Sequence, residues 1–349
     1  MVTIGVDSHK RTHTLVAVDD VGKKLAERTL AATPEGHLDA LAWAERWPER
    51  RWAIEDCRHL TRRLESDLLA AGEAVLRVPP RLMAAERRGG REQGKSGPID
   101  ALAVARVALR EPDLPVARLD GPARELKLLT GHREDLVRER VRMQARLRWH
   151  LHELFPGYLI PSRALRRERV FARLGERLAG AGGTVARIAR ELVRDIRELT
   201  SRVNELEREI TRIVRGLAPA LLALEGCGAL SAAKIVGEAA GAGRFKSRAA
   251  FARWNGTAPV PVWSGATRFR LSRGGNRQIN AALHRIAVTQ CRGTGPGRAY
   301  LDTRLAAGDS QTEAIRMLRR RLSDEVFRRL LADENAATVT SDGGLQAAA

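Results

Sequence analysis

Val2-Thr3-Ile4-Gly5-Val6-Asp7, running into Ser8-His9-Lys10, opens the chain. Val2, Ile4 and Val6 are β-branched and alternate with Thr3, Gly5 and Asp7, the period-two pattern of a strand. An acid therefore stands at the strand's end. Thr12 to Val18 reads as a second strand, Asp19-Asp20-Val21-Gly22 as a turn and Lys24 to Leu30 as a third strand. Taken alone, an acid at a strand end is more often a turn former than a metal ligand, so the elements that follow decide its meaning.

Thr33-Pro34-Glu35-Gly36 opens a helix through about Trp47, with Thr33 as its cap, Pro34 in its first turn and Leu38, Leu41 and Ala42 facing inward. Arg51 to Ile54 forms a short apolar strand ending in Glu55-Asp56-Cys57. Leu60 to Ala71 is an amphipathic helix, and Ala74 to Val78 is another strand before Pro79-Pro80. The last helix of this region is Pro98 to Arg110, with Asp100 in its first turn. The order β-β-β-α-β-α-β plus a closing helix resembles the ribonuclease-H-like fold. There the first and fourth strands are neighbours and the closing helix packs beside them. The resemblance implies that Asp7, Glu55 and Asp100 converge and hold Mg²⁺ through oxygen ligands, paired ions clamping the attacking and leaving oxygens of a phosphodiester.

Composition points the same way. Of 349 residues, 61 are basic and 42 acidic, a net charge of +19 with a pI near 11.1. Such an excess indicates a polyanionic partner, with nucleic acid as the default. The preference for Arg over Lys is explained by a GC-rich genome; the net charge is not. No apolar run approaches the roughly 20 residues that span a bilayer, and no signal-peptide pattern precedes the first strand. No membrane association is expected, and the protein is expected to be cytoplasmic and nucleoid-associated. Cys57, Cys227 and Cys291 are far apart and odd in number, so three free thiols are expected. His150 and His152 lie two apart on a helix and face apart, which argues against a metal pair.

Between Pro80 and Ser96 lies a basic loop containing Arg81, Arg87, Arg88, Arg91 and Lys95, suited to phosphate contact. Glu111 to Pro115 marks a boundary. Gly121 to Phe155 is helical and basic, with Leu136, Met143, Leu147, Leu151 and Leu154 on one side. After a break at Gly180 to Gly183, Val185, Ile188, Leu192, Ile196, Leu199, Val203, Leu206, Ile210 and Ile213 recur at spacings of three and four. This is a coiled-coil seam with one stutter, and it favours a homo-oligomer over packing within one subunit. Leu221 to Val236, with Gly226 and Gly228 in its turn, resembles a helix-hairpin-helix whose backbone N–H groups meet phosphates. An ordinary tight turn would look the same. Ser264 follows Pro259-Val-Pro-Val-Trp263 at an apparent turn, and Arg268, Arg270, Arg273 and Arg277 come after it. Those arginines could neutralise a phosphate, but no nearby His or Lys could take a proton from the serine; residue chemistry alone reads Ser264 as a turn serine. Ile279 to Cys291 and Thr312 to Leu331 are helical, the latter packing through Ile315, Leu318, Leu322 and Val326. Residues 333–349 are small and polar, a composition expected to be disordered.

Ile4 to Lys10, Ala53 to Cys57, Gly94 to Ala101 and the module from Leu224 through Ser264-Gly265 to Arg268 together resemble the IS-one-ten family of insertion-sequence transposases. The resemblance implies an α/β plus α architecture. Residues 1–115 would form a RuvC-like DEDD catalytic domain, residues 116–217 a helical coiled-coil oligomerisation spacer and residues 218–332 a mostly helical C-terminal transposase domain, ahead of the tail. It further implies a DNA recombinase bridged to DNA by a structured non-coding guide RNA, working as a dimer or tetramer. In it Asp7, Glu55 and Asp100 would match Mg²⁺ ligands and Ser264 the serine that joins to DNA. One departure matters: where the family pattern has the first Asp of the closing helix, this chain has Gly97. With Pro98 as the first helical residue, position 97 reads as the N-cap, where Gly costs a few tenths of a kcal/mol. The fold is expected to survive and metal affinity to weaken. The readings that remain are an active RNA-guided serine recombinase, a catalytically impaired nucleic-acid-binding derivative, and a junction nuclease that uses water.

Overall fold

The structure is a computed structural model that describes the chain except residues 81, 84–95, 113, 119–120, 162, 263–267, 272–273 and 347–349; the side chains of 58, 268, 269, 271 and 338–346 also lie outside it. Backbone contacts divide the chain into two units, Met1–Asp120 and Gly121–Ala349.

In the first unit, β1 (Val2–Ser8), β2 (Thr12–Val18) and β3 (Lys24–Ala31) form the meander. After it come α1 (Pro34–Ala44), β4 (Arg50–Glu55), α2 (Arg58–Ala70), β5 (Val75–Val78) and α3 (Gly97–Arg110). The sheet order is β3-β2-β1-β4-β5. β1 runs antiparallel to β2 and parallel to β4, and β4 runs parallel to β5. This is the expected RuvC-like arrangement, in which the first and fourth strands are neighbours. Side chains alternate between the two faces. Ile4 and Val6 of β1 pack with Trp52 and Ile54 of β4 beneath α1 and α2, all fully buried. On the other face Ala53 packs with Val104, Val107 and Ala108 of α3.

Helix α1 starts as its sequence dictates: Thr33 Oγ1 accepts from the Gly36 N–H at 3.2 Å, with Pro34 in the first turn. Its buried face differs from the expected one. His37, Ala40, Trp43 and Ala44 are buried, while Leu38 is 67% exposed. His37 sets this rotation by reaching His13 on β2 and Asp67 on α2, polar partners that an apolar periodicity cannot register.

The second unit contains α4 (Pro122–Leu154), α5 (Glu168–Ala179), α6 (Gly183–Leu217), α7 (Pro219–Leu222), α8 (Ala229–Ala239) and α9 (Arg248–Trp254). The hairpin β6 (Pro259–Val262) and β7 (Arg268–Leu271) precedes α10 (Arg277–Arg292), α11 (Pro296–Ala306) and α12 (Gln311–Gln346). The α6 seam is taken up within the chain. Leu199 and Val203 pack with Leu136 of α4, and Leu192 and Ile196 with Leu147 and Leu151 of α4 and Phe171 of α5. The periodicity is therefore that of a helix covered by its own neighbours, and the inference from it to a homo-oligomer falls. Leu126 of α4 and Ile210 and Val214 of α6 join one core with α8, α10 and α12, so the helical spacer and the C-terminal region share a single unit.

The tail also differs from expectation. Helix α12 continues through Asp333 to Gln346, and two acids that look like the start of a polar tail are anchors. Asp333 accepts from the N–H groups of Ala220 and Leu221, and Glu334 from Gly243 at 3.0 Å and from Ala242. Among the described residues no helix is long and apolar enough to cross a membrane.

Candidate active site

The acids of the first unit gather on the face of the sheet covered by α3. Val6 and Ile54 are register partners, and the next residues along these parallel strands are Asp7 and Glu55. Alternation places both on the face of Gly5 and Ala53. That face lies unusually close to α3: a Cβ on Gly5 would sit 2.1 Å from the Ala101 carbonyl oxygen and 2.6 Å from the Ala105 nitrogen. Asp100, one residue before Ala101 in the helix's first turn, is 5% exposed, and Asp7 is 7% exposed. Asp7 Oδ2 stands 2.9 Å from Nε2 of the exposed His9. Carboxylate oxygens are the donors that Mg²⁺ takes, so the donor chemistry fits. Among the described residues no group of three His, Cys, Asp or Glu side chains is placed to hold an ion.

Position 97 is more confined than its sequence context predicts. Ser96 is the N-cap of α3, and Gly97 is the first helical residue instead of the cap. A Cβ there would lie 2.6 Å from Oγ1 and 3.1 Å from Cβ of Thr14. Thr14 is the register partner of Asp7. The correction has a steric origin in the neighbouring strand, which local capping rules do not include.

Arg87, Arg88, Arg91, Lys95, Ser264 and Arg273 lie outside the described residues. The hairpin brings Val262 opposite Arg268, so residues 263–267 join its two strands; sequence reading took this stretch only as a turn in a mostly helical region. Arg270 is exposed on β7, the backbone of Arg268 belongs to the same strand, and Arg277 opens α10. Gly226 has a φ of +77°, as a tight turn favouring glycine requires. The helix before it, α7, has only four residues, so the segment is a turn entering α8 and lacks the two full helices expected of a helix-hairpin-helix. A Cβ on Gly226 would stand 3.1 Å from the Ile286 carbonyl oxygen of α10, whereas Gly228 faces open space.

One polar cluster escaped the sequence. On the opposite face of the sheet, buried His13 and His37 meet Nε2 to Nε2 at 3.2 Å, and His37 Nδ1 is 2.5 Å from Asp67 Oδ2. Burial, reinforced by His37 and His9, lowers the pKa of His13 to about 4. Ser8, the register partner of His13, keeps its hydroxyl buried. Each residue comes from a different element, so no spacing in the chain announces the group.

Known proteins resemble this chain over most of its length. Residues 4–156 match the transposase family model of the DEDD IS110 type, and residues 218–302 match the Transposase IS116/IS110/IS902 family. The 44.8 kDa protein of insertion element IS116 from Streptomyces clavuligerus is 27% identical across 93% of this chain and 94% of its own length. The 42 kDa protein of insertion element IS900 from Mycobacterium paratuberculosis is 26% identical, covering 92% of this chain and 93% of its own. Among solved structures, Thermus thermophilus RuvC, alone and in complex with a Holliday junction substrate, aligns with 34% of this chain. It does so over 100% and 99% of its own length, at 17% identity and TM-scores of 0.28 and 0.27. With both family models matched in order and relatives aligned nearly end to end, the chain belongs to the IS110/IS116 family of insertion-sequence transposases.

Proposed function

We propose that this transposase cuts and rejoins DNA through a covalent protein–DNA intermediate, with Ser264 as the attacking group, Asp7, Glu55 and Asp100 as the Mg²⁺ ligands, and a structured non-coding RNA guiding the DNA partners. The observation that carries the reading is the common face: Asp7 and Glu55 end adjoining strands, and the helix covering them brings Asp100 in its first turn. In the proposed step Ser264 Oγ gives up its proton and forms a bond to phosphorus, the bond from phosphorus to one strand's sugar oxygen breaks, and that oxygen takes up a proton, so that the net proton transfer is from the serine to the leaving oxygen. Mg²⁺, when bound, would supply charge neutralisation at the phosphate. Net charge and the exposed Arg270 support a nucleic-acid partner. RNA guidance and assembly into a homo-oligomer rest on the family resemblance, the α6 seam being used within the chain.

A second reading has its own support: this copy binds nucleic acid but is catalytically impaired. Gly97 stands where the family pattern has an acid.

Covalent capture tests both. Purified protein, candidate element-end DNA, the RNA transcribed beside the gene and Mg²⁺ are combined and resolved on a denaturing gel. The first reading expects a DNA adduct that falls below about one-thousandth of wild type in Ser264→Ala and in Asp7→Ala. An adduct that persists in Ser264→Ala would place the nucleophile elsewhere. Cleavage without any adduct would indicate a water-using nuclease, and retained binding without cleavage would establish the impaired form.

A further inference from the structure

The second half of α4 carries an aromatic side chain where a soluble helix has little use for one. Trp149 is 74% exposed, and Val141, earlier on the same helix, is 51% exposed. Positions 142, 146 and 149 follow helical spacing, so Arg142 and Arg146 lie two turns and one turn N-terminal to the indole on one face; Arg148 and His152 lie beside it. All four are exposed. Among the described residues no ion pair engages Arg142, Arg146 or Arg148, whereas Arg138, one turn before Arg142, is paired with Asp135. Glu153 is the only acid between residues 140 and 154. Across the helix Leu147 and Leu151 are buried, so packing fixes which way Trp149 faces.

We infer that this face of α4 is a stacking platform for unpaired bases of single-stranded DNA. The inference rests on the transposase reading, because cutting and rejoining two DNAs exposes unpaired strand ends. An exposed aromatic flanked by unpaired cations is the combination that holds a single strand: bases stack on the ring, and the cations follow the phosphates. The charge distribution favours this occupant over a second copy of the chain. Two such faces would set arginines against arginines, with one acid on each to offset them. A duplex cannot use the indole, since its bases are already stacked.

The test uses the full-length protein and fluorescence anisotropy with a single-stranded DNA of about 20 nucleotides, the same sequence as duplex, and the same sequence as RNA, over a range of KCl. Trp149→Ala should weaken single-stranded DNA binding about tenfold, with the salt slope unchanged and duplex binding within twofold of wild type. Trp149→Phe should recover most of the loss. Arg142→Ala should instead flatten the salt slope by about 0.7. The inference is overturned if Trp149→Ala leaves single-stranded DNA affinity unchanged, if duplex affinity falls equally, if only RNA binding falls, or if the variant changes oligomeric mass in sedimentation, the last indicating that a second copy covers the face. Failure of the transposase reading looks different: the wild-type protein would bind neither form of DNA.

Discussion

The two faces of the central sheet solve opposite problems with the same strands. Towards α1 and α2, β1 and β4 present Ile4, Val6, Trp52 and Ile54, large side chains that fill space. Towards α3 they present Gly5 and Ala53, and the helix answers with Ala101 and Ala105, so backbone comes close to backbone. The bulky face carries the buried histidine pair, and the close face carries Asp7, Glu55 and Asp100. The difference teaches that the acids are held by steric closeness and the histidines by a polar chain, so each face should fail in its own way.

Steric failure should be the larger. Val6→Ala leaves a cavity on the bulky face and should cost about 2 kcal/mol. Gly5→Ala, one residue along, adds a single methyl group to the close face. That methyl would meet the backbone of α3, which can yield only if the helix moves, and it should cost about 3 kcal/mol or more. Urea unfolding of the two variants gives the order directly. If Gly5→Ala proves the milder change, the close approach of α3 is not what positions Asp100.

The polar chain should fail with acid. His13 has a folded pKa near 4, against an ordinary value of 6.5. Between these values the unfolded chain binds the proton and the folded chain does not. The contribution is therefore full above about pH 6.5 and is lost as pH falls towards 4, an effect of up to about 3 kcal/mol. Stability of the wild type and of His13→Gln, measured at pH 7 and pH 4.5, should show a smaller acid loss in the variant by about 2 kcal/mol. Equal losses would mean that other groups carry the acid sensitivity.

The same contrast explains what the sequence disclosed. Alternation along Val2 to Asp7 and the Thr33 cap are local signals and mark the elements themselves; the spatial order of the strands and the acids' common face came from the resemblance to the ribonuclease-H-like fold. The inward side of α1 was misread because His37, a polar residue, is what the helix buries. The regular seam of α6 correctly announced a long buried stripe but not its partner, since apolar spacing is the same whether the facing helix is α4 of one chain or α6 of another. Asp333 and Glu334 read as tail because the N–H groups that donate to them lie about 90 to 110 residues away, out of range of any local pattern. Ser264 was singled out only by family likeness; nothing in its neighbours' chemistry distinguishes it from a turn serine.

Position 97 gives the finest test of the close face. Capping rules predict that Gly97→Asp is nearly free, because acids suit a helix's first turn. The surroundings predict a cost, because the new Cβ meets Thr14 Oγ1 at 2.6 Å. Thr14 can turn away by giving up its 3.2 Å contact with Thr29 Oγ1, which sets the expected loss at about 1–2 kcal/mol. Thr14→Ala removes the obstructing hydroxyl, so the double variant should lose less than the sum of the two single changes, with a coupling of about 1 kcal/mol. An acid seated at 97 beside Asp7 should then make unfolding respond to added Mg²⁺ more strongly than in the wild type. Additive effects with no gain in Mg²⁺ response would show that Thr14 is not the barrier, and that the close face lacks an acid at 97 for a reason other than space.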